Sequence, residues 1–293
     1  MGHCFKIVPA LLVAAVAVSS CGSGGGIVSA LLSGLSGSQT ESPAETFAGE
    51  LSATKPEVGG ALMEIPASDA GGVLITHKGY TLSYNAAARI PEWVAYELTA
   101  DETYGDADRD DAMFRMDPSF KKTQAMREDY SGSGWTKGHM ACAADFQWDE
   151  DAMDETFYLT NICPQDEVLN AGDWNYLEKQ TRRWARENGR VWVVSGPIIG
   201  DNIYGRIGER NVVVPDAFFK AVLMEKHGKY HSIAFVMGND DERYYLYDCS
   251  MSVNELEKLT GIDFFPALDD SVEESVESRT EYSVWDIKVQ KKS

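Results

Sequence analysis

The sequence predicts an α+β fold, and three observations support this prediction. Stretches rich in β-branched and aromatic residues recur between residues 73 and 247, and turn-forming residues separate them. One long stretch, residues 174–187, has the helical period, and a short one after Ser252 begins with a capping box. Helices and strands do not alternate regularly, as they would in a doubly wound sheet. The 293 residues are enough for one large domain or two small ones.

The first twenty residues predict a targeting segment. Lys6 supplies a short basic region, and residues 7–18 are almost wholly apolar, at signal-peptide length and too short to span a bilayer comfortably. Small residues then precede Cys21, a pattern that resembles a bacterial lipobox. We therefore expect a lipoprotein signal peptide over residues 1–20 and lipidation at Cys21, which would anchor the protein to a membrane on the periplasmic or cell-surface side of a bacterial envelope. The alternative is an ordinary cleaved signal, with Cys21 incidental.

Residues 21–60 are rich in Gly, Ser, Ala and Thr, and they predict a flexible tether. The globular domain is expected over residues 61–293. In its first half, strands are predicted at residues 73–76, 80–84 and 93–99.

The second half of the domain is predicted to begin with the helix at residues 174–187, which Gly189 ends. The capping box at Ser252 predicts a second helix, which Gly261 ends. The tail, residues 269–281, is strongly acidic and is expected to be solvated. Further strands are predicted at residues 190–195, 217–224, 232–237 and 244–247.

The formal net charge of −20 restricts how the chain could bind a polyanion. Nucleic-acid-binding proteins usually present a basic surface. This chain would instead need a local basic cleft, a bound cation, or both. The simpler interpretation of the charge is a soluble, self-repelling surface.

Two stretches contain residues suited to hydrolysis. His139 follows Gly138, and a neutral imidazole can take a proton from water. Asn170, Trp174 and Glu178 would share one broad helical face, because each four-residue step drifts by only about 40°. An amide oxygen and a carboxylate suit a hard cation that keeps most of its water. Taken alone, the helix is better explained as amphipathic, with a capping Asn and a surface Glu.

In combination, these motifs resemble the DNA/RNA non-specific endonuclease family, whose active site is a ββα-metal (His-Me) finger. Each motif is weak individually, but their order is specific, and the likeness extends over roughly residues 63–265. The matching stretches are Thr136-Lys137-Gly138-His139, Asn161-Ile-Cys-Pro164-Gln165 and Asn170-x-x-x-Trp174-x-x-x-Glu178.

The resemblance implies a mainly antiparallel central sheet flanked by helices. It also implies a metal-dependent, sugar-non-specific endonuclease that hydrolyses phosphodiester bonds of DNA and RNA and leaves 5′-phosphate ends. His139 would be the general base, Asn170 the direct ligand of Mg²⁺ (or Mn²⁺), and Glu178 the residue that orients metal-bound water. Asn161 would help to position the site. Nucleic acid and the membrane are the expected partners, and no protein partner is evident.

The sequence departs from the family pattern at two positions. Lys137 replaces an arginine and offers one compact charge instead of a bidentate fork. Thr136 replaces an aspartate, and Asp145 is a candidate to supply the missing carboxylate. For the family's upstream phosphate-binding arginine, Arg109 and Arg115 are both candidates, and Arg115 is preferred.

The departures at positions 136 and 137 motivate an alternative function, a catalytically weak or inactive nucleic-acid- or surface-binding lipoprotein on the same fold. A phosphodiesterase for another polyanion is a third hypothesis. The pairing of Cys142, Cys163 and Cys249 remains open: one disulfide with one buried thiol is compatible with an oxidising compartment.

Overall fold

The computed structural model describes residues 62–287, apart from residues 69, 70 and 111. The predicted signal peptide, the lipidation site Cys21 and the tether up to residue 60 lie outside these residues. Within the described part of the chain, no helix combines the length and the hydropathy needed to cross a membrane.

The strands form one large sheet and two small ones, and all the pairings within them are antiparallel. In chain order the strands are β1 (Val73–Thr76), β2 (Thr81–Asn85), β3 (Ile90–Thr99), β4 (Thr136–His139), β5 (Ile162–Gln165), β6 (Arg190–Ile198), β7 (Arg206–Ile207), β8 (Val212–Val213), β9 (Ala217–Lys226), β10 (Lys229–Gly238) and β11 (Ser250–Met251). The large sheet has the order β1-β2-β3-β6-β9-β10-β11, while β4 pairs with β5 and β7 with β8.

The helices are mostly short, and one of them is preceded by a wider turn. A π-helical turn, Asn170–Trp174, leads directly into the longest helix, α4. In chain order the helices are α1 (Arg127–Tyr130), α2 (Glu150–Glu155), α3 (Glu167–Leu169), α4 (Asn175–Asn188), α5 (Leu246–Cys249), α6 (Val253–Thr260) and α7 (Asp270–Glu277).

The large sheet is covered on both faces. Neighbouring strand residues point to opposite faces, and Phe218 and Phe219 on β9 follow this rule. The ring of Phe218 packs against Trp174, next to α4, at 5.7 Å between centroids, and that of Phe219 packs against Phe264, beyond α6, at 5.6 Å. Burial on both sides explains why β9 is an almost continuous apolar run. The predicted α+β class is confirmed.

The local end signals in the sequence act as predicted. Gly189 ends α4 with φ of 94°, and Gly261 ends α6 with φ of 71°, in both cases a region that favours glycine. The side chain of Ser252 accepts from the backbone N–H of Glu255, and the carboxylate of Glu255 accepts from the backbone N–H of Ser252, so the capping box forms.

Two expectations about the second half were wrong. Residues 244–247 do not form a strand, because the carboxylate of Asp173 accepts the backbone N–H of Tyr244 at 2.7 Å and also binds Arg243. The acidic tail is not simply solvated, because α7 packs on β10. The hydroxyl of Ser232 donates to the carbonyl of Val276 at 2.8 Å, and Glu277 is buried.

Candidate active site

Strand β4 brings the TKGH motif alongside β5. Thr136 pairs with Gln165 and His139 with Ile162, so the motif lies on a short two-stranded ladder outside the large sheet. A Cβ atom added at Gly138 would lie 2.1 Å from Oε1 and 2.7 Å from Cβ of Gln165, and therefore the side chain of Gln165 would have to move. The glycine before His139 thus leaves room for the buried side chain of Gln165.

The helical half of the finger begins at Asp166, whose carboxylate accepts the backbone N–H groups of Val168 and Leu169. It then widens into the π-helical turn that contains Asn170. A continuous α-helix was expected here, and the difference affects the site. Eight residues exceed two α-turns by about 0.8 residue, or roughly 80°. Because a π-turn takes in about one more residue, Asn170 and Glu178 come closer to alignment along the helix.

Strand β4, the π-turn and α4 enclose one open cleft of about 560 Å³. Four of the predicted site residues line it, together with Thr136 and one of the two candidate arginines. Its lining residues are Arg109, Phe114, Trp135, Thr136, Lys137, His139, Cys142, Ala143, Asn170, Asn175 and Glu178.

His139 is held between aromatic rings at the cleft. The ring centroids of Phe114 and Phe157 lie 5.3 and 5.0 Å from that of the imidazole. Its Nε2 atom has no hydrogen-bond partner among the described residues. Burial and the nearby charge of Arg109 lower the pKa of His139 to about 3. The imidazole is therefore neutral at physiological pH, which is the state that a general base requires.

Lys137 contributes positive charge to the same cleft. Its Nζ lies 5.4 Å from the ring centroid of Phe114 and 5.3 Å from that of Tyr130, both within the range of a cation–π contact. Burial and the charge of Arg127 lower the pKa of Lys137. A bound phosphate would relieve this repulsion between the two basic groups.

Glu178 lies at the edge of a buried network of charged side chains. Burial raises its pKa, and the ammonium of Lys220 opposes this increase. Lys220 is fully buried, donates to Oγ of Ser195 at 2.6 Å and lies 5.1 Å from the ring centroid of Trp174. The thiol of Cys142, which accepts from Arg182 at 3.3 Å, also acts to lower the pKa of Glu178. The carboxylate of Glu178 therefore lies at the wall of the cleft within the electrostatic field of this buried network.

Asp145 does not replace the missing motif carboxylate. It is 1% exposed, accepts from Arg182 at 2.5 Å and from the hydroxyl of Tyr96 at 2.7 Å, and does not line the cleft. Arg182 and Asp145 form a salt bridge instead, and the charges of both act on Glu178. Asp145 is thus part of the support of the site.

Asn161 is fully buried and does not line the cleft. Its Nδ2 donates to the carbonyls of Ala141 and Thr156 at 3.0 and 2.8 Å, and its Oδ1 accepts the N–H of Ala141 at 2.8 Å. These bonds fix the chain two residues after His139. The geometry assigns Asn161 a positioning role and no direct contact with substrate.

The structure reverses the preference between the two arginines. The guanidinium of Arg115 is paired with Asp154 and lies 4.4 Å from the ring centroid of Tyr158, outside the cleft. Arg109 lines the cleft, and its charge acts on His139. Arg109 is therefore the better candidate for binding phosphate.

Sequence reasoning missed Trp135, Asn175, Lys220 and Arg182. Two of them had a detectable signal: Asn175 is one helical turn before Glu178, and Lys220 is a charged residue within an apolar strand run. The cysteine question is also answered for these three residues, since Cys142, Cys163 and Cys249 are all buried and no disulfide joins any two of them.

The donor set fits a hydrated hard cation. Among the described residues, no group of three His, Cys, Asp or Glu side chains is placed to hold a metal. Asn170 and Glu178 offer one amide oxygen and one carboxylate on the cleft, which suits Mg²⁺, a cation that commonly retains several waters.

Comparisons with known proteins agree with this geometry. Residues 59–271, which include every residue of the cleft, match the DNA/RNA non-specific endonuclease family. The human mitochondrial nuclease EXOG is 40% identical over 209 residues, or 66% of this chain and 57% of that protein. Nuclease C1 of Cunninghamella echinulata var. echinulata is 35% identical over 213 residues, or 67% of this chain and 83% of that protein. This chain thus matches less than two thirds of the length of human EXOG.

A solved structure extends the comparison to the fold. The crystal structure of the EndoG/EndoGI complex contains a chain that is 30% identical, with a TM-score of 0.64. The match covers 68% of this chain and 88% of that one. The predicted ββα-metal fold is confirmed by this similarity.

Proposed function

Because the chain belongs to the DNA/RNA non-specific endonuclease family, we propose that it is a metal-dependent endonuclease that hydrolyses phosphodiester bonds of both DNA and RNA. The observation that supports this proposal most strongly is the single cleft that contains His139, Lys137, Asn170 and Glu178. A base, a phosphate-binding charge and two hard-cation ligands meet there, although they come from segments up to 41 residues apart in the chain.

His139 is the general base of this proposal. Its neutral imidazole takes a proton from the water that attacks phosphorus, a contribution typically worth about 10²–10⁴-fold in rate. The negative charge of a bound phosphate raises the pKa of the imidazole from its low resting value, which makes His139 a stronger base once substrate is present. Cleavage on the 3′-oxygen side leaves 5′-phosphate ends.

Asn170 and Glu178 are the residues that would hold the cation, with Mg²⁺ as the proposed metal and Mn²⁺ as a substitute. When bound, a hard divalent cation supplies positive charge opposite the phosphate and the departing oxygen. Asn170 would contribute its amide oxygen, and Glu178 would hold water through its carboxylate. The buried network around Glu178 would support that carboxylate beside the cleft.

Lys137 and Arg109 bind the phosphate backbone of the substrate. Both line the cleft, and Arg127 adds positive charge beside Lys137. This local field is what a chain with a net charge of −20 needs in order to attract a polyanion. Contacts with phosphate alone carry no sequence information, which accounts for cleavage without base specificity.

The test is cleavage of plasmid DNA and of RNA by the purified protein in Mg²⁺, in Mn²⁺ and in EDTA. Cleavage should require metal, and His139→Ala should reduce the rate at least 10²-fold. The matched control is His227→Asn, a substitution at an exposed turn with φ of 53° that asparagine tolerates. Binding without cleavage in every metal would support the catalytically inactive alternative, and full activity of His139→Ala would refute the mechanism.

We also propose that the protein is anchored through acyl chains on Cys21, at the outer side of a bacterial membrane. The support is the apolar segment at residues 7–18 and the small residues that precede the cysteine. In a bacterial expression host, Cys21→Ser should move the protein from the membrane fraction to the soluble one. Cys4→Ser, within the same predicted signal, should leave the fractionation unchanged.

A further inference from the structure

A short chain of hydrogen bonds links the proposed metal ligand to strand β5. Nδ2 of Asn170 donates to Oγ1 of Thr136 at 3.0 Å, and Oγ1 of Thr136 donates to the backbone carbonyl of Gln165 at 2.8 Å. Thr136 is the position at which the sequence departs from the aspartate of the family pattern. Its hydroxyl contacts the ligand itself and not only the surface of the cleft.

In these two hydrogen bonds, the position of the Thr136 hydroxyl proton determines which way the amide of Asn170 faces. A hydroxyl has one proton, and the carbonyl of Gln165 can only accept, so that proton belongs to the bond with Gln165. Oγ1 of Thr136 therefore presents a lone pair to Asn170, and the amide must present its NH₂ group there. Its Oδ1 atom is left for the cleft, as a metal ligand requires.

Both neighbours of Thr136 are themselves fixed. Gln165 pairs with Thr136 in the β4–β5 ladder, which holds its carbonyl in place. The backbone N–H of Asn170 donates to the carbonyl of Asp166 at 2.9 Å, and Asp166 is in turn bound through its own N–H to Oδ1 of Asn239. The hydroxyl therefore connects two rigid segments, and the reverse orientation of the amide would set oxygen against oxygen.

We propose that Thr136 is a positioning residue that orients the amide of Asn170 with its oxygen toward the metal. The inference rests on the proposed metal site. It assigns to the hydroxyl a function that does not need the charge of a carboxylate. Removing a group that orients a metal ligand typically weakens metal affinity about 10–100-fold.

The test compares Thr136→Val, which keeps the shape but removes the hydroxyl, with Thr136→Ser, which keeps the hydroxyl. Mn²⁺ binding to the full chain is measured by electron paramagnetic resonance without nucleic acid. Thr136→Val should bind Mn²⁺ at least about tenfold more weakly, and Thr136→Ser within about threefold of the native protein. Thr81→Val, which removes an exposed hydroxyl on β2, is the control and should not change the affinity.

Several results would overturn the proposal: native affinity in Thr136→Val, equal losses in the serine and valine variants, or no Mn²⁺ binding by the native protein. If Thr136→Val does not fold, Thr136→Ala replaces it with the same expectation. The proposed nuclease activity can be refuted independently of the role of Thr136. A native protein that binds Mn²⁺, shows the valine effect and cuts no nucleic acid would support the role of Thr136 and refute the nuclease.

Discussion

Asn161→Ala tests whether Asn161 supports the active site through buried hydrogen bonds, without contacting substrate. The substitution removes three hydrogen bonds, at 3.0, 2.8 and 2.8 Å, and leaves the N–H and carbonyl of Ala141 and the carbonyl of Thr156 without partners in a fully buried position. Each such group costs about 1–3 kcal/mol. We therefore expect the free energy of unfolding, measured by urea denaturation, to fall by roughly 3–9 kcal/mol.

A second variant and a control sharpen this test. Asn161→Asp keeps the bond from the N–H of Ala141 but sets a carboxylate against two carbonyl oxygens, so its pKa should be raised and its stability should improve as the pH falls. Asn188→Ala removes one bond, at 2.9 Å, at the end of α4 and should cost only about 1 kcal/mol. A loss below about 1 kcal/mol in Asn161→Ala, together with reduced cleavage, would refute the positioning role and favour direct contact with substrate.

Three further predictions concern charge. Lys220→Met leaves Glu178 in a buried site without its nearby ammonium, and should lower the free energy of unfolding by about 3–5 kcal/mol at pH 7. Because the pKa of Glu178 is raised, this loss of stability should be smaller near pH 5. A loss that does not depend on pH would contradict the coupling between Lys220 and Glu178. The lowered pKa of His139 means that the unfolded chain binds more protons than the folded one between about pH 3 and pH 6.5. The contribution of His139 to stability is therefore complete above pH 6.5 and declines below it. An NMR titration of the metal-free protein should find the imidazole neutral at pH 5, and a titration midpoint near 6.5 would exclude the shift. Arg109→Ala should raise the KM for plasmid DNA and reduce its salt dependence, whereas Arg115→Ala should leave the KM unchanged and lower stability by about 0.2–1 kcal/mol; equal effects on KM would contradict the assignment.

The sequence was sufficient for those parts of the site that depend on local spacing. His139, Asn170 and Glu178 lie in motifs whose order predicts the finger, and all three line the cleft. The choice between Arg109 and Arg115 was not local. It depends on Asp154, 39 residues beyond Arg115, which binds that arginine outside the cleft.

The same limit applies to the fold. A glycine at a helix end and a capping box each act over only a few residues, so the bounds of α4 and α6 could be predicted closely. Tyr244 has strand-forming neighbours, but its backbone N–H is taken by Asp173, 71 residues earlier. No pattern within a short window contains that contact, and tertiary bonding therefore overrode strand propensity.

The π-helical turn makes the spacing of the helix motif as important as its residues. Inserting one residue between Asn170 and Trp174 would leave the full set of proposed catalytic side chains in the sequence. It would also turn everything from Glu178 onward by about 100° and move it away from Asn170 by about 1.5 Å along the helix axis. A descendant with such an insertion would keep a recognisable signature and lose the proposed pair of ligands. An intact interval between Asn170 and Glu178 is therefore a better sign of a working member than the identities of the two residues alone.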